Sequence, residues 1–145
     1  MTNHHTSRTG YTLVELVLVM IIMALAALTG IRQVQLLMDR LATRDAVRAA
    51  STAITRAREE AVALHTLVTI RIDTSAGAIE LRSRDGPMAL TPLGSMHGVT
   101  LSTSRDSITF DIRGLGYGTA NLTLVARRGR SADTLVVSRL GRTRY

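Results

Sequence analysis

Near its N-terminus the chain reads Thr9-Gly10-Tyr11-Thr12-Leu13-Val14-Glu15-Leu16, and apolar residues continue as far as Leu28. Between residues 11 and 31 the only formal charge is the carboxylate of Glu15. About 20 apolar residues in a helix are enough to span the hydrocarbon core of a bilayer. An acid inside such a segment costs several kcal/mol on insertion scales, so its presence indicates a function.

The position of Gly10 distinguishes this segment from a secretory signal peptide. A signal peptide is cut after its apolar region, at small residues, whereas Gly10 precedes the apolar run. Cleavage after Gly10 would remove a polar leader, residues 1–10, and would keep the apolar helix. The new N-terminus would be Tyr11, with Glu15 one helical turn further along the chain.

Two roles are open for Glu15. After cleavage the Tyr11 amine would be a cation in apolar surroundings, and a Glu15 carboxylate of the same or a neighbouring chain would be its natural partner. Such a pair would set the register of otherwise interchangeable apolar helices. Thr12 and Glu15 also match a capping box, which satisfies free amides at a helix start. Both roles are compatible, and we expect the assembly role.

These residues resemble the N-terminus of type IV pilins and type II secretion pseudopilins. In those proteins a short basic leader ends in Gly and precedes an aromatic residue, Thr-Leu-(Val/Ile)-Glu and a long apolar run. Gly10 to Glu15 match, with Tyr11 in place of the usual Phe. The resemblance implies that a prepilin peptidase cuts between Gly10 and Tyr11 and N-methylates Tyr11, and that Glu15 guides packing into the filament.

The same resemblance implies a bacterial inner-membrane protein with a single span and a periplasmic C-terminal domain. Arginines count towards orientation when they lie near the ends of a span. Here Arg8 precedes the span, and several arginines starting at Arg32 follow it. This count by itself favours the opposite orientation. Long folded domains translocate largely regardless of such charges, so we expect the orientation that the motif implies.

The hydrophobic pattern predicts one long helix from about Thr12 to Leu64. No proline occurs before Pro87. Apolar residues recur at steps of three and four, which marks one face of a helix; they are Val47, Ala50, Ile54, Ala57, Ala61 and Leu64. We expect residues 11–31 to form the transmembrane or filament-core part and residues 32–66 to pack on the rest of the chain.

After His65 the apolar period changes to two, which is typical of β-strands. The predicted strands are residues 67–73, 78–82, 99–102, 108–112, 122–126 and 135–138. The first two form a hairpin, and residues 84–98, which contain both prolines, form a loop. The predicted fold class is therefore α+β, with one long helix on an antiparallel β domain at residues 67–145.

This arrangement is similar to the GspH/FimT family of minor pilins and pseudopilins. Ile108-Thr109-Phe110 with the following Gly114, and the segment from Val136 to Arg142, resemble that family's closing strands. The resemblance implies a minor subunit that assembles with other pilin subunits, near the filament tip. Two systems stay open: a type II secretion pseudopilus serving protein secretion, and a type IV pilus that captures double-stranded DNA during uptake.

The charge of the chain is concentrated at its C-terminal end. The net charge is +7, and residues 112–145 contain seven arginines against the single acid Asp133. Arginine suits bidentate contact with phosphate or carboxylate. The candidate binding residues are Arg127, Arg128, Arg130, Arg139, Arg142 and Arg144. They could contact DNA phosphates, protect a strand edge or pair with acids of another subunit, and we favour the structural or partner roles.

No residue pattern predicts catalysis, a cofactor or a metal site. The chain has no cysteine. His65 and His97 are isolated, without the spacing of metal ligands. The glycines between Gly114 and Gly118 invite a phosphate-loop interpretation, but that motif requires a following helix, and a strand is predicted there. We therefore expect a tight strand connection at these glycines and a structural protein rather than an enzyme.

Overall fold

The computed structural model of the protein describes residues 10–117 and 121–145. The chain divides into two compact units, Met1–Gln35 and Leu36–Tyr145. Its helices are α1 (Leu13–Ala63) and α2 (Leu93–His97). Its strands are β1 (Val68–Asp73), β2 (Ala78–Ser83), β3 (Gly86–Thr91), β4 (Thr100–Thr103), β5 (Ser107–Phe110), β6 (Leu122–Arg128), β7 (Ser131–Val137) and β8 (Thr143–Arg144).

The long helix is confirmed, and its apolar stripe lies in the core of the second unit. The stripe members Val47, Ile54 and Ala61 are fully buried, in one cluster with apolar residues of the strands. The assignment of Leu64 to this stripe is wrong, because Leu64 follows the last helical residue and is 54% exposed. His65 has φ of 48°, and this left-handed conformation is typical of a helix end.

The strands form two antiparallel sheets, with the orders β3-β2-β1-β5 and β4-β6-β7-β8. Along β1 in the first sheet and β6 in the second, alternate residues are buried, so one face of each strand contributes to the core. The predicted hairpin of β1 and β2 is confirmed, with Ile70 opposite Leu81. In the second sheet Leu124 lies opposite Leu135, and both are fully buried. The fold is α+β, as predicted.

The predicted loop at residues 84–98 is wrong, because this segment contains β3 and α2. Pro87 lacks an N–H group, but β3 is an edge strand that pairs only with β2, where proline is tolerated. A register shift at Leu81/Arg82 accompanies it. The strands therefore number more than the predicted six; the other addition, β8, contains only two residues.

Candidate functional site

The start of α1 shows the threonine half of the predicted capping box. The backbone N–H of Glu15 lies 3.3 Å from the Thr12 hydroxyl oxygen, which accepts its hydrogen bond. The Thr12 carbonyl accepts from the amides of Glu15 and Leu16 at 3.1 and 3.2 Å. Thr12 therefore satisfies free amides at the first turn, and it does so without occupying the Glu15 carboxylate. Gly10 and Tyr11 precede the helix and are exposed.

The apolar run of α1 presents its side chains outward. An 18-residue window of this helix has a mean hydropathy of 2.5, and none of it is buried within the described chain. By length and composition the helix is able to cross a membrane. Soluble monomers rarely expose a contiguous apolar surface of this size. The segment is therefore suited to a bilayer or to other helices of the same kind.

Three of the candidate arginines lie at the hairpin between β6 and β7, and we call them the tip arginines: Arg127, Arg128 and Arg130. Their surroundings differ. Alternation along β6 places Arg127 on the outer face of the sheet and Arg128 on the face with buried Ala126. The Arg128 Nε lies 3.2 Å from the Asp39 carboxylate of α1, and its Nη1 donates to the His97 carbonyl at 2.8 Å.

The other three candidates, which we call the terminal arginines, are Arg139, Arg142 and Arg144. They follow β7 or lie in β8, where Arg144 is opposite Val136. The Ser51 hydroxyl of α1 donates to the Thr143 hydroxyl at 2.9 Å and fixes β8 against the helix. All three arginines are exposed. The hairpin of β7 and β8 therefore holds the terminal arginines at a defined place beside α1.

The tip and terminal arginines are separated along β7. Arg128 is opposite Ser131, and Arg144 is opposite Val136, five residues further on. At about 3.3 Å per residue this corresponds to about 17 Å. The last long strands, β6 and β7, are paired along their whole length. The pairing by itself does not gather all six arginines at one point.

Arginines of α1 lie beside both the tip arginines and the terminal arginines. Sequence reasoning missed that the helix contributes to this basic surface. Arg40 and Arg44 line a depression of about 600 Å³ together with Arg130. Further along the helix, Arg58 lines another depression with the terminal residues Arg142 and Arg144. We define the basic band as the arginines on this side of the molecule: Arg40, Arg44, Arg48 and Arg58 of α1 with Arg130, Arg142 and Arg144. The sequence signal that could have indicated this contribution is the four-residue spacing of Arg40, Arg44 and Arg48, which places them on one side of the helix.

Most of the basic band has no acidic partner among the described residues. Arg48 approaches Asp45 at 3.9 Å, a long and exposed contact. The other ion pairs of the second unit involve arginines outside the band. Guanidinium groups that are exposed and unpaired remain available for phosphate or carboxylate groups of a partner.

The glycine-containing segment after β5 is a turn, as expected. The Asp111 carboxylate accepts from the Leu115 amide at 2.8 Å and the Arg113 amide at 2.9 Å. The Leu115 hydrogen bond, followed by those from Arg113, holds the pKa of Asp111 below its ordinary value. Gly114 has φ of 72° and packs on the Arg58 side chain. The next element is the strand β6, which excludes a phosphate loop; residues 118–120 lie outside the described part.

Comparison with known proteins decides the family. The sequence profile of the family described as type II transport protein GspH matches residues 46–141 of the chain. The chain belongs to the GspH family. The matched region begins in α1 and ends just before Arg142, so it includes the core and three members of the basic band, Arg48, Arg58 and Arg130. The resemblance predicted from sequence is therefore confirmed. No curated protein sequence matches the chain.

Solved structures agree with the fold of a GspH family member. The minor pilin FimU of the Pseudomonas aeruginosa type IV pilus superposes with a TM-score of 0.57 at 16% identity, over 70% of this chain and 90% of that one. The minor pseudopilin EpsH of the Vibrio cholerae type 2 secretion system gives 0.56 at 15% identity, over 70% and 94%. At these identities the likeness concerns the fold.

Proposed function

We propose that this chain is a minor subunit of a type II secretion pseudopilus or type IV pilus, near the filament tip, and that it serves protein secretion. One observation carries the proposal: an apolar helix whose first turn contains an acid is continuous with a GspH domain. Helix and domain together fit a subunit that waits in the inner membrane and then enters a filament. The role is structural rather than enzymatic.

Maturation begins with cleavage between Gly10 and Tyr11 by a prepilin peptidase, followed by N-methylation of Tyr11. Both residues are exposed and precede the first helical residue, so the bond is accessible to a peptidase. Glu15 then pairs with the new amine of its own or a neighbouring subunit, because each charge is costly when it is unpaired in apolar surroundings. The C-terminal domain lies in the periplasm.

Processing is tested in cells that contain a prepilin peptidase, by determining the N-terminus of the epitope-tagged chain by mass spectrometry. Wild type is expected to start at N-methylated Tyr11. Gly10→Leu is expected to keep the leader, whereas the control Gly30→Ala, at a helix position with open space around it, is processed normally. A mature chain that starts elsewhere contradicts the proposal.

Assembly is tested by recovery of the subunit in sheared filaments. Glu15→Gln is expected to be cleaved but poorly recovered, because the charge that pairs with the amine is missing. Glu59→Gln, an exposed change of the same chemistry in the second unit, is the control and is expected to assemble. Equal recovery of both variants would show that the Glu15 carboxylate does not guide packing.

A second candidate function is capture of double-stranded DNA during uptake, supported by the exposed and unpaired terminal arginines. Binding through phosphates is sequence-independent and weakens steeply with salt, by a slope of about −0.9 for each phosphate contacted. The detergent-solubilised chain is titrated with a DNA duplex at several salt concentrations. Arg142→Gln with Arg144→Gln is expected to weaken binding and to reduce the slope by about 2. Absence of binding at low salt removes this function.

A further inference from the structure

One long edge of the second sheet is only partly paired. β7 contains seven residues, from Ser131 to Val137, and pairs with β6 along its whole length. On its other side β8 pairs only with Val136 and Val137. Within the described ranges, the segment from Ser131 to Leu135 therefore has no strand on that side. A new strand added there would lie in line with β8.

The backbone of this segment is oriented for pairing. The Ser138 amide donates to the Arg142 carbonyl at 2.9 Å, and in an antiparallel ladder every second residue is directed to the same neighbour. Val136, Thr134 and Ala132 therefore direct their N–H and C=O groups to the β8 side. The Thr134 amide donates instead to the Asp133 side chain at 2.9 Å. A carboxylate oxygen thus occupies the place where the carbonyl of an added strand would lie.

The space beside this edge is open and strongly basic. A depression of about 600 Å³ is lined by Arg40 and Arg44 of α1 and by the first residues of β7. A smaller one of about 280 Å³ follows, lined by Arg44, Arg48, Asp133 and Tyr145. The two share Arg44 and Asp133 and form one groove between the helix and the strand, with Asp133 as its one acid.

The spacing of the arginines on the helix matches the spacing of side chains on a strand. Arg40, Arg44 and Arg48 are four residues apart, which corresponds to about 6 Å along a helix axis. Alternate side chains of a strand point to the same side at intervals of about 6.7 Å. Acidic residues at every second position of an added strand would therefore each face one guanidinium. This match concerns carboxylates on a protein strand and does not depend on the phosphate spacing of a nucleic acid.

We propose that this groove binds an extended acidic segment of another protein chain, which adds to β7 as an antiparallel strand. Its main chain pairs with Ala132 and Thr134, and its alternate acids contact the arginines of α1. Such strand addition gives affinity through the backbone and specificity through the side chains. The proposal rests on the proposed assembly function, in which the partner chain is another filament subunit.

The test uses the purified, detergent-solubilised chain and a fluorescein-labelled peptide of alternating Glu and Val, about seven residues long, which covers the open edge at about 3.3 Å per residue. Fluorescence anisotropy is expected to show saturable binding. A second peptide with the same charges carries N-methyl groups on the amides that would face β7, and it is expected to bind at least about tenfold more weakly, because the ladder cannot form.

Variants of the protein separate the two parts of the site. Arg40→Gln with Arg44→Gln is expected to weaken binding about tenfold or more through lost charge. Arg56→Gln, on a different part of α1 and paired with Glu60 at 3.6 Å, is the matched control and leaves binding unchanged. Thr134→Pro removes an amide that does not bond to β6, so the fold is kept, and it places a proline ring on the edge, where strand addition is blocked.

Equal binding of the plain and N-methylated peptides would overturn the proposal, because the contact would then be purely electrostatic. Binding of a DNA duplex without binding of the acidic peptide would also overturn it and would assign the groove to nucleic acid. Failure of both ligands to bind would equally refute it, because neither the open edge nor the arginines would then recognise an acidic partner. Processing and filament recovery are measured separately in cells, so failure here is distinguishable from failure of the proposed function.

Discussion

Arg127 and Arg128 are neighbours in the sequence, yet we predict opposite consequences when each is changed to glutamine. Among the residues that the structure describes, the buried hydrophobic side chains all lie between Ala46 and Val137, so a fragment that starts at Leu36 retains this core and is suitable for unfolding studies. In this fragment Arg128→Gln is expected to lower the free energy of unfolding, and Arg127→Gln is expected to change it by less than about 0.5 kcal/mol.

The magnitude follows from the two contacts of Arg128. Its hydrogen bond to the His97 carbonyl, at 2.8 Å and partly exposed to water, contributes about 1 kcal/mol. Its ion pair with Asp39 contributes about 0.5 to 1 kcal/mol, because the side chains are 41% and 22% exposed. The sum is about 1.5 to 2 kcal/mol. With a urea dependence of about 2 kcal/mol per M, the unfolding midpoint falls by about 0.7 to 1 M.

A double-mutant cycle isolates the ion pair. Asp39→Asn alone is expected to cost about 0.5 to 1 kcal/mol, and its coupling to Arg128→Gln is expected to be of the same size. At about 1 M salt the coupling should shrink, because the pair is partly exposed. Equal midpoint shifts for the Arg127 and Arg128 variants, or zero coupling at low salt, would refute the assignment of Arg128 to a structural contact.

Three further changes are predicted in the same fragment. Phe110→Ala removes a fully buried ring from β5 and should cost about 3 to 5 kcal/mol in urea unfolding; a loss below about 1 kcal/mol would contradict its core position. Gly141 has φ of 70°, and an added Cβ would lie 3.1 Å from the Phe110 ring, so Gly141→Ala should cost about 1 to 3 kcal/mol. Hydrogen bonds from the Leu115 and Arg113 amides hold the folded pKa of Asp111 below its ordinary value, so the folded chain binds fewer protons than the unfolded chain at pH values between the folded and the unfolded pKa. Its contribution is therefore complete above about pH 5 and is lost as pH falls through the folded pKa. Asp111→Asn should make the free energy of unfolding fall less steeply as the pH is lowered below about 5. An unchanged pH dependence in this range would exclude the contribution of Asp111.

Local patterns in the sequence were sufficient for most of the fold. The stripe containing Val47 and Ile54 has the helical period, and the period of two predicted β1 and β2, because both signals depend on burial of one face. The prediction was wrong for the segment that contains Pro87, because this segment has no such local pattern. Proline and glycine interrupt a local pattern, and only the position of β3 at a sheet edge makes a strand possible there. β8 is too short to produce a pattern.

The candidate site also contains one part that the sequence could predict and one part that it could not. Gly10 and Glu15 belong to a contiguous motif, so their roles could be predicted from sequence alone, and those roles stay predictions. The surroundings of Arg130 could not be identified in this way, because the depression that it lines with Arg40 and Arg44 depends on how α1 lies along β7, which no local period specifies. For the same reason the sequence grouped Arg128 with the other candidates. Its partners Asp39 and His97 are distant in the chain and became visible only in three dimensions.

The positions of the arginines distinguish protection of a strand edge from recognition of a partner. Protection requires only a charge on the exposed strand itself, where it discourages pairing with any other chain. On β7 the charge of the open segment is Asp133, whereas the guanidinium groups of Arg40 and Arg44 belong to the helix opposite, so these arginines are not placed to protect the edge in this way. Charges on the wall of a groove do not block its backbone groups; they select for an opposite charge on what enters. This arrangement favours an acidic strand as the occupant, and the N-methylated peptide tests that reasoning directly because it changes the backbone and leaves every charge in place.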